Sequence, residues 1–406
     1  MKKLLQLFRS IIRSQIRHKI TELARTVRGT VPTILYRCCC RARFPNAPHQ
    51  IVLNRYNLFT LLFVLCVAGL PAHAADQQPL PDEITIAAVG DLMLGNRAEP
   101  FIKQFGPDYP FRDVMDTLHT ADIIAGNLES PISSRGIAVE NKQFTLRAGI
   151  VAAQALKSAG IRVVTLANNH MLDFGPLALQ DTLATLEENG ILTTGAGMDL
   201  EDARAPAWVK VKGKTLAFLS YSLTYPLDFY ASPRRPGTAP GYAEYVKADI
   251  LKVRSSADIV VVSFHWGAEL MTAAKNYQID LGHKAIDWGA DLVLGHHPHV
   301  LQELEVYKGK LIAYSLGNFV FGSESNRTNT SMILLLTFKG NTLVRVAVVP
   351  LDVNNYRVKY QPRVLTGGAA QAVLNDINTA SARFQTKLER EGDQGRILLP
   401  IAAPGN

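Results

Sequence analysis

The sequence predicts an α/β fold in which two mixed β-sheets are sandwiched together and flanked by helices. Three observations predict it. From Glu83 onward, short apolar, β-rich runs alternate with helical stretches, the pattern of strands buried on both faces of a partly parallel sheet. Three further segments carry a glycine turn between alternating flanks, which reads as antiparallel hairpins. Hydrophobic residues make up 47% of the chain and charged residues 19%, ample material for a core of that size.

Residues 1–74 form a basic leader with twelve Lys and Arg against one acid, Glu22. Within it, Leu58 to Leu70 is apolar but for Thr60. These 13 residues fall short of the ~20 that a spanning helix needs. Pro71-Ala72-His73-Ala74 follows, with small residues at the positions a signal peptidase reads. The expectation is export to the periplasm or beyond, with the leader either cleaved after Ala74 or kept as an inner-membrane anchor through residues 58–70. The net charge of +8 belongs to this leader, because the remainder holds 31 basic and 34 acidic residues. No basic stripe is left for nucleic acid, which is excluded as a partner, and membrane contact is confined to the N-terminal segment. All four cysteines (Cys38, Cys39, Cys40 and Cys66) also lie in the leader, so the exported part has neither a disulfide framework nor thiolate chemistry.

Residues 75–82 read as a polar, proline-bearing linker, residues 83–360 as the main domain, and residues 361–406 as a partly helical C-terminal extension. The strand candidates in the main domain are Ile84–Val89, Ile123–Ala125, Val163–Leu166, Leu216–Tyr221, Ile259–Phe264, Leu292–Leu294 and Leu311–Ser315. Helical periodicity is clearest over Leu177–Glu188 and Tyr277–Trp288. The hairpins are Trp208–Leu216, Leu304–Leu311, and Met332–Phe338 with Leu343–Val349. Pro226–Tyr242, with four prolines, reads as a long loop, either one that covers or lines a site or plain surface. In the extension, a helix is expected over Ala369–Glu391 and a frayed end over Gly392–Asn406.

Five strands end in ligand-type residues. Ile86 to Asp91 ends in a carboxylate, and Ile123 to Glu129 in the amide of Asn127 and a carboxylate. Val163 to His170 ends in the amides of Asn168 and Asn169 and an imidazole. Ile259 to His265 ends in an imidazole, and Leu292 to His299 carries three, His296, His297 and His299. In open α/β sheets ligands gather at the carboxyl edge of the strands, so these side chains are expected along one rim. Five of the seven histidines beyond the leader fall in these segments. Mixed Asp, Glu, Asn and His ligation without Cys suits Mn²⁺, Zn²⁺ or Fe.

Six motifs in order, Gly90-Asp-Leu-Met93, Gly126-Asn-Leu-Glu129, Asn168-Asn-His-Met-Leu-Asp-Phe-Gly175, His265-Trp-Gly-Ala-Glu269, Gly295-His-His-Pro-His-Val300 and Ser315-Leu-Gly-Asn-Phe319, resemble the CapA family. These are bacterial capsule-synthesis proteins associated with poly-γ-glutamate, and they in turn resemble calcineurin-type metallophosphoesterases. The resemblance implies that family's four-layer sandwich and a site for one or two divalent ions. It implies that Asp91 and His299 hold a first ion and Asn169, His265 and His297 a second, with Glu129 bridging both. His170 is implied as general acid, oriented by Asp173. Asn127, Asn168, Glu269, His296 and Asn318 are left as substrate contacts or supports for the ligands. One departure matters: the superfamily's first motif is Asp-x-His, where this chain has Asp91-Leu-Met93, and a thioether is a poor ligand for a hard divalent ion. Three readings stay open: a metal-dependent hydrolase of a phosphoester or of the family's polymer, a non-enzymatic accessory that binds an anionic polymer beside membrane-bound synthesis machinery, and a metal-free structural fold. The first two require Asp91, Glu129, His265 and His299 to meet.

Overall fold

Ile84, Ile86 and Ala88 alternate with Ala87 and Val89 along one run, and all five are buried. A strand that is apolar on both faces needs cover on both, and this need sets the layers. The computed structural model describes residues 82–400; the leader with its anchor segment 58–70, residues 75–81 of the linker and residues 401–406 lie outside the described residues. Strands β1 (Glu83–Met93), β2 (Ile123–Leu128), β3 (Ile161–Thr165) and β4 (Leu192–Thr194) run parallel and adjacent in a ten-stranded sheet. The hairpin Thr330–Lys339/Thr342–Asp352 adds to the other side of β1 in antiparallel register. A second sheet of six strands holds Lys310–Ala313, Leu292–His296, Ile259–His265 and Lys214–Ser222 in parallel, with an antiparallel strand at each edge.

Each face of each sheet has its own cover. Ile84, Ile86 and Ala88 meet Phe218, Val261 and Leu294 of the second sheet in one buried cluster, the centre of the sandwich. Ala87 and Val89 pack outward against Ala152 and Leu156 of helix Val151–Ser158 and Leu179 and Leu186 of helix Gly175–Glu188. On the far side, Leu219, Val260, Val262 and Val293 meet Val246 and Ile250 of helix Ala243–Arg254 and Leu281 and Ala285 of helix Asn276–Trp288. Trp266 closes this layer, stacked on Phe264 and donating its Nε1–H to the Tyr314 carbonyl at 2.9 Å. The result is four layers, helix, sheet, sheet, helix, as the sequence predicts. Among the described residues no helix is long and apolar enough to cross a membrane.

The three hairpins form where expected. In the first, Lys212 and Gly213 both take positive φ, as a tight turn matching the strand twist requires. Two expectations are corrected. The helix read over Ala369–Glu391 ends at Ser381, and the segment read as frayed contributes to a hairpin, Leu388–Glu391 with Gln394–Ile397, whose second strand pairs Ala347 and Val348. Leu388 and Ile397 are buried, so burial against the sheet overrides the helical propensity of Leu388-Glu-Arg-Glu391. Pro226–Tyr242 is not wholly irregular either. It holds a 3₁₀ turn, Leu227–Phe229, and a short strand, Gly237–Thr238, paired to Ala196–Gly197, with Phe229 and Tyr230 buried.

Register brings the strand ends together. Asp91 stands opposite Asn127 and Asn318, and His265 opposite His296. A bulge between Ala88 and Asp91 shifts the β1–β2 register, the usual way a strand re-aims a side chain near a site. Gly90 lies within the bulge because nothing larger fits: a Cβ there would sit 2.0 Å from the Gly317 carbonyl oxygen. That same oxygen accepts the Asp91 N–H at 2.9 Å.

Candidate metal centre

Six side chains converge at the carboxyl ends of β1, β2 and β3 and of strands Ile259–His265 and Leu292–His296. Asp91, Glu129 and His265 offer ligand atoms within 4.8 Å of one another, as do Glu129, His297 and His299. Glu129 belongs to both groups, as a bridging carboxylate must. Asn169 joins through its Oδ1, 2.7 Å from His265 Nε2. The pairing differs in detail from the one the resemblance implies, since His297 groups with His299 and His265 with Asp91. His299 nevertheless also reaches Asp91, with Nδ1 3.3 Å from Oδ2.

The remaining expected residues surround this cluster. Asn127 donates through Nδ2 to Asp91 Oδ1 at 2.9 Å and lies 3.3 Å from His265 Nδ1, so one amide orients two ligands. Asn168 holds Asn127 in turn, donating to its Oδ1 at 3.3 Å and to the Leu128 carbonyl at 2.7 Å, while its own Oδ1 accepts the His170 N–H at 3.0 Å. His296 Nδ1 lies 3.1 Å from Asp91 Oδ1, and Asn318 Oδ1 lies 2.9 Å from His299 Nδ1. Glu269 stands apart: it is exposed and acts on Glu129 and His299 only through its charge. Met93 is fully buried where β1 pairs the Asn318–Phe321 strand.

His297 and His299 adopt left-handed φ values of 96° and 59°, a conformation that costs on the order of 1–3 kcal/mol for a residue with a side chain. The turn is held from two sides. Leu270 donates its N–H to the Pro298 carbonyl at 2.8 Å, and His297 donates its own to Asp91 Oδ2 at 3.3 Å.

The donor set fits a divalent cation. Both Glu129 carboxylate oxygens are buried without a hydrogen-bond partner, and so is His297 Nδ1. An unpaired buried carboxylate costs several kcal/mol. His265 Nε2 and His299 Nε2 approach Glu129 Oε1 at 3.4 and 3.7 Å, too far for hydrogen bonds. Ligand atoms about 2.1 Å from a tetrahedral ion stand about 3.4 Å apart. The electrostatics agree. Burial pushes the Glu129 carboxyl well above its ordinary range. Burial opposes ionisation of Asp91 too, but hydrogen bonds and charge from His296 and His299 outweigh it and hold the carboxyl well below that range. Burial holds His297 down to about 3 and His265 well below its usual value, so both imidazoles are neutral, the ligating form. His299 goes the other way: burial resists, yet Glu129 and Asp91 lift it to about 10. The pull of both carboxylates on His299 marks the centre as one that favours positive charge.

Beside the cluster, His170 and Asp173 form a buried pair, with Nδ1 2.6 Å from Oδ2. Asp173 Oδ2 also accepts the Leu146 N–H at 2.6 Å. A residue without any motif signal completes the pair. Lys142 Nζ donates to Asp173 Oδ1 and to the Asn169 carbonyl, and lies 3.1 Å from His170 Nδ1. Burial draws its ammonium below the usual lysine range, against the pull of Asp173. The Phe229 ring covers it, 5.1 Å from Nζ.

Comparison with known proteins places this arrangement. The profile of the family described as "Bacterial capsule synthesis protein PGA_cap" matches residues 85–323, the span that holds every residue of the centre. The PGA biosynthesis protein CapA of Bacillus subtilis (strain 168) is 34% identical over 299 residues, 73% of this chain and 79% of that one. The capsule biosynthesis protein CapA of Bacillus anthracis is 33% identical over 279 residues, 67% and 68% of the two chains. Among solved structures, the 5'-nucleotidase precursor of Thermus thermophilus aligns with a TM-score of 0.42 and 14% identity, over 70% of this chain and 54% of that one. With its family motifs gathered at one rim and its profile matched across them, the chain belongs to the PGA_cap family of bacterial capsule synthesis proteins.

Proposed function

We propose that this chain is a divalent-metal-dependent hydrolase of phosphoesterase type, working in the assembly of an anionic envelope polymer of the poly-γ-glutamate kind. The reading rests on one observation above the others: a Glu129 carboxylate that is buried and unpartnered, shared by two groups of imidazole and carboxylate donors. Asp91, Glu129, Asn169, His265, His297 and His299 would hold one or two ions of Mn²⁺, Zn²⁺ or Fe. Such ions, when bound, supply stabilisation of charge at the reacting group. The chain's own residues supply the rest. Asn127 and Asn168 keep the ligands oriented. The 2.6 Å contact of His170 Nδ1 with Asp173 fixes the ring and leaves Nε2 to pass a proton to a leaving oxygen, the usual task of a general acid. Residues 1–74 serve in this reading as the export segment, cleaved or retained through residues 58–70. Residues 83–360 are the working domain, in the periplasm or outside the cell beside the polymer synthesis machinery.

A second reading, an accessory that binds the polymer without cleaving it, draws on Met93. Fully buried in the strand that carries Asp91, its thioether stands where the superfamily has an imidazole ligand. Turnover separates the two. The full-length chain loaded with Mn²⁺ is expected to hydrolyse either p-nitrophenyl phosphoesters or γ-linked glutamate oligomers, and to lose that activity on chelation and regain it on reloading. Binding of the oligomer with no chelator-sensitive release from either substrate would favour the accessory.

A further inference from the structure

Residues 133–147 form a strap with closed ends and no regular secondary structure. Its neck is an isolated bridge between Ile132 and Ala148, where Ser133 N–H donates to the Ala148 carbonyl at 3.1 Å and Ala148 N–H to the Pro131 carbonyl at 2.9 Å. Compact loops with closed ends are often functional. The body of this one lies along the turn that carries His170 and Asp173. Val139 N–H donates to the Asp173 carbonyl at 2.9 Å, and Leu146 N–H to Asp173 Oδ2 at 2.6 Å. Gly136 comes so close to the turn that a Cβ there would sit 2.0 Å from the Phe174 carbonyl oxygen. The Arg147 guanidinium lies 3.9 Å from the Phe174 ring centroid.

We propose that this strap is a positioning element and that Lys142 is its working residue, fixing the Asp173 carboxylate and, through it, the His170 ring, so that Nε2 is the only ring nitrogen left open. The hydrogen-bond inventory supports this. A lysine ammonium has three donors. Two are taken by Asp173 Oδ1 and the Asn169 carbonyl, and Nζ stands 3.1 Å from His170 Nδ1, whose own proton is turned to Asp173. Few donors remain for substrate, and the Phe229 ring covers the same nitrogen. Asp173 is held on both oxygens, by Lys142 on Oδ1 and by His170 and Leu146 on Oδ2. With donors on both oxygens, three in all, the carboxylate is held in one orientation. Lys142 also contacts the backbone of Asn169, so a single cation ties the pair to the chain segment that enters the metal cluster.

This inference deepens the reading of His170 as the proton donor and rests on it, but its test is read in the metal-free chain and stands apart from any activity. The His170 Nδ1 proton, held against a carboxylate, should give a downfield, exchange-protected signal in spectra of the full-length ¹⁵N-histidine-labelled chain. Its absence in His170→Gln assigns it. In Lys142→Met the proton should exchange with water roughly ten- to hundredfold faster, the factor that loss of one charge-assisted hydrogen bond carries. Mn²⁺ binding should survive, since Lys142 touches none of the carboxylate or imidazole ligands and holds only the backbone carbonyl of Asn169. Should Lys142→Met not fold, Phe229→Ala, which uncovers Lys142 to water, is expected to move exchange in the same direction by a smaller factor. A proton as protected in the variant that folds as in wild type overturns the proposal, and so does a wild-type chain with no protected His170 proton. A wild-type chain that binds no metal but shows the protected proton and its loss would sink the hydrolase reading and leave the strap's role standing.

Discussion

Replacing Glu129 by glutamine is expected to raise the melting temperature of the metal-free chain and to erase the further rise that Mn²⁺ or Zn²⁺ gives wild type. The two effects have opposite sign because they have different origins. In the metal-free chain the carboxylate is fully buried with no donor to either oxygen, a state that costs about 1–3 kcal/mol or more. Burial pushes this carboxyl well above its ordinary range, so folding near neutral pH carries a cost of proton uptake that glutamine, neutral at nearly the same volume, does not have; stability rises by a similar amount, a few degrees in a chain of this size. With metal the order reverses. An ion that binds only the folded chain stabilises it by about 2.7 kcal/mol at a hundredfold excess over its dissociation constant. The variant has lost the one donor common to both ligand groups. Thermal scans with and without metal check both halves. A lower melting temperature in the metal-free variant would mean that Glu129 has a compensating partner in the folded chain.

His170→Ala is expected to cut turnover by about 10²–10⁴-fold, the usual share of a positioned general acid, and to leave metal binding intact. The separation follows from geometry. His170 Nδ1 is engaged by Asp173, and His170 belongs to neither ligand group, although its charge is felt at His297. Asp173→Asn should give part of the same loss, because an amide can present its N–H to Nδ1 and turn the ring's hydrogen-bond pattern around. Initial rates and a metal isotherm on the same preparations distinguish this from collapse of the centre. Equal turnover in wild type and His170→Ala would remove the acid role.

The strand ends were legible because burial and chemistry coincide there. Runs such as Ile259–Phe264 have to be strands within a covered sheet, and the polar residue that follows each run falls at the carboxyl edge, so Asp91, Glu129 and His265 could be placed near one another from sequence. The supporting contacts could be read only as residue types. That Asn127 bridges Asp91 and His265 depends on the register of β1 against β2, and that register is shifted by a bulge that leaves no periodic trace. Lys142 was illegible for a different reason. It is one charge in a polar stretch, Glu140-Asn-Lys-Gln143, with neither periodicity nor a motif, and its importance comes from a loop closing over a turn about thirty residues further on. The C-terminal hairpin was masked by a conflict of signals: Leu388-Glu-Arg-Glu391 favours helix locally, and only the free edge of the Thr342–Asp352 strand makes it a strand.

Metal content is the most direct test of the centre. The full-length chain, loaded with Mn²⁺ or Zn²⁺, freed of unbound ion and analysed beside His265→Ala and His297→Ala, is expected to retain at least one equivalent that both variants lose. Wild type and both variants emerging equally free of metal would contradict a shared cation among these side chains, whatever else the family resemblance implies.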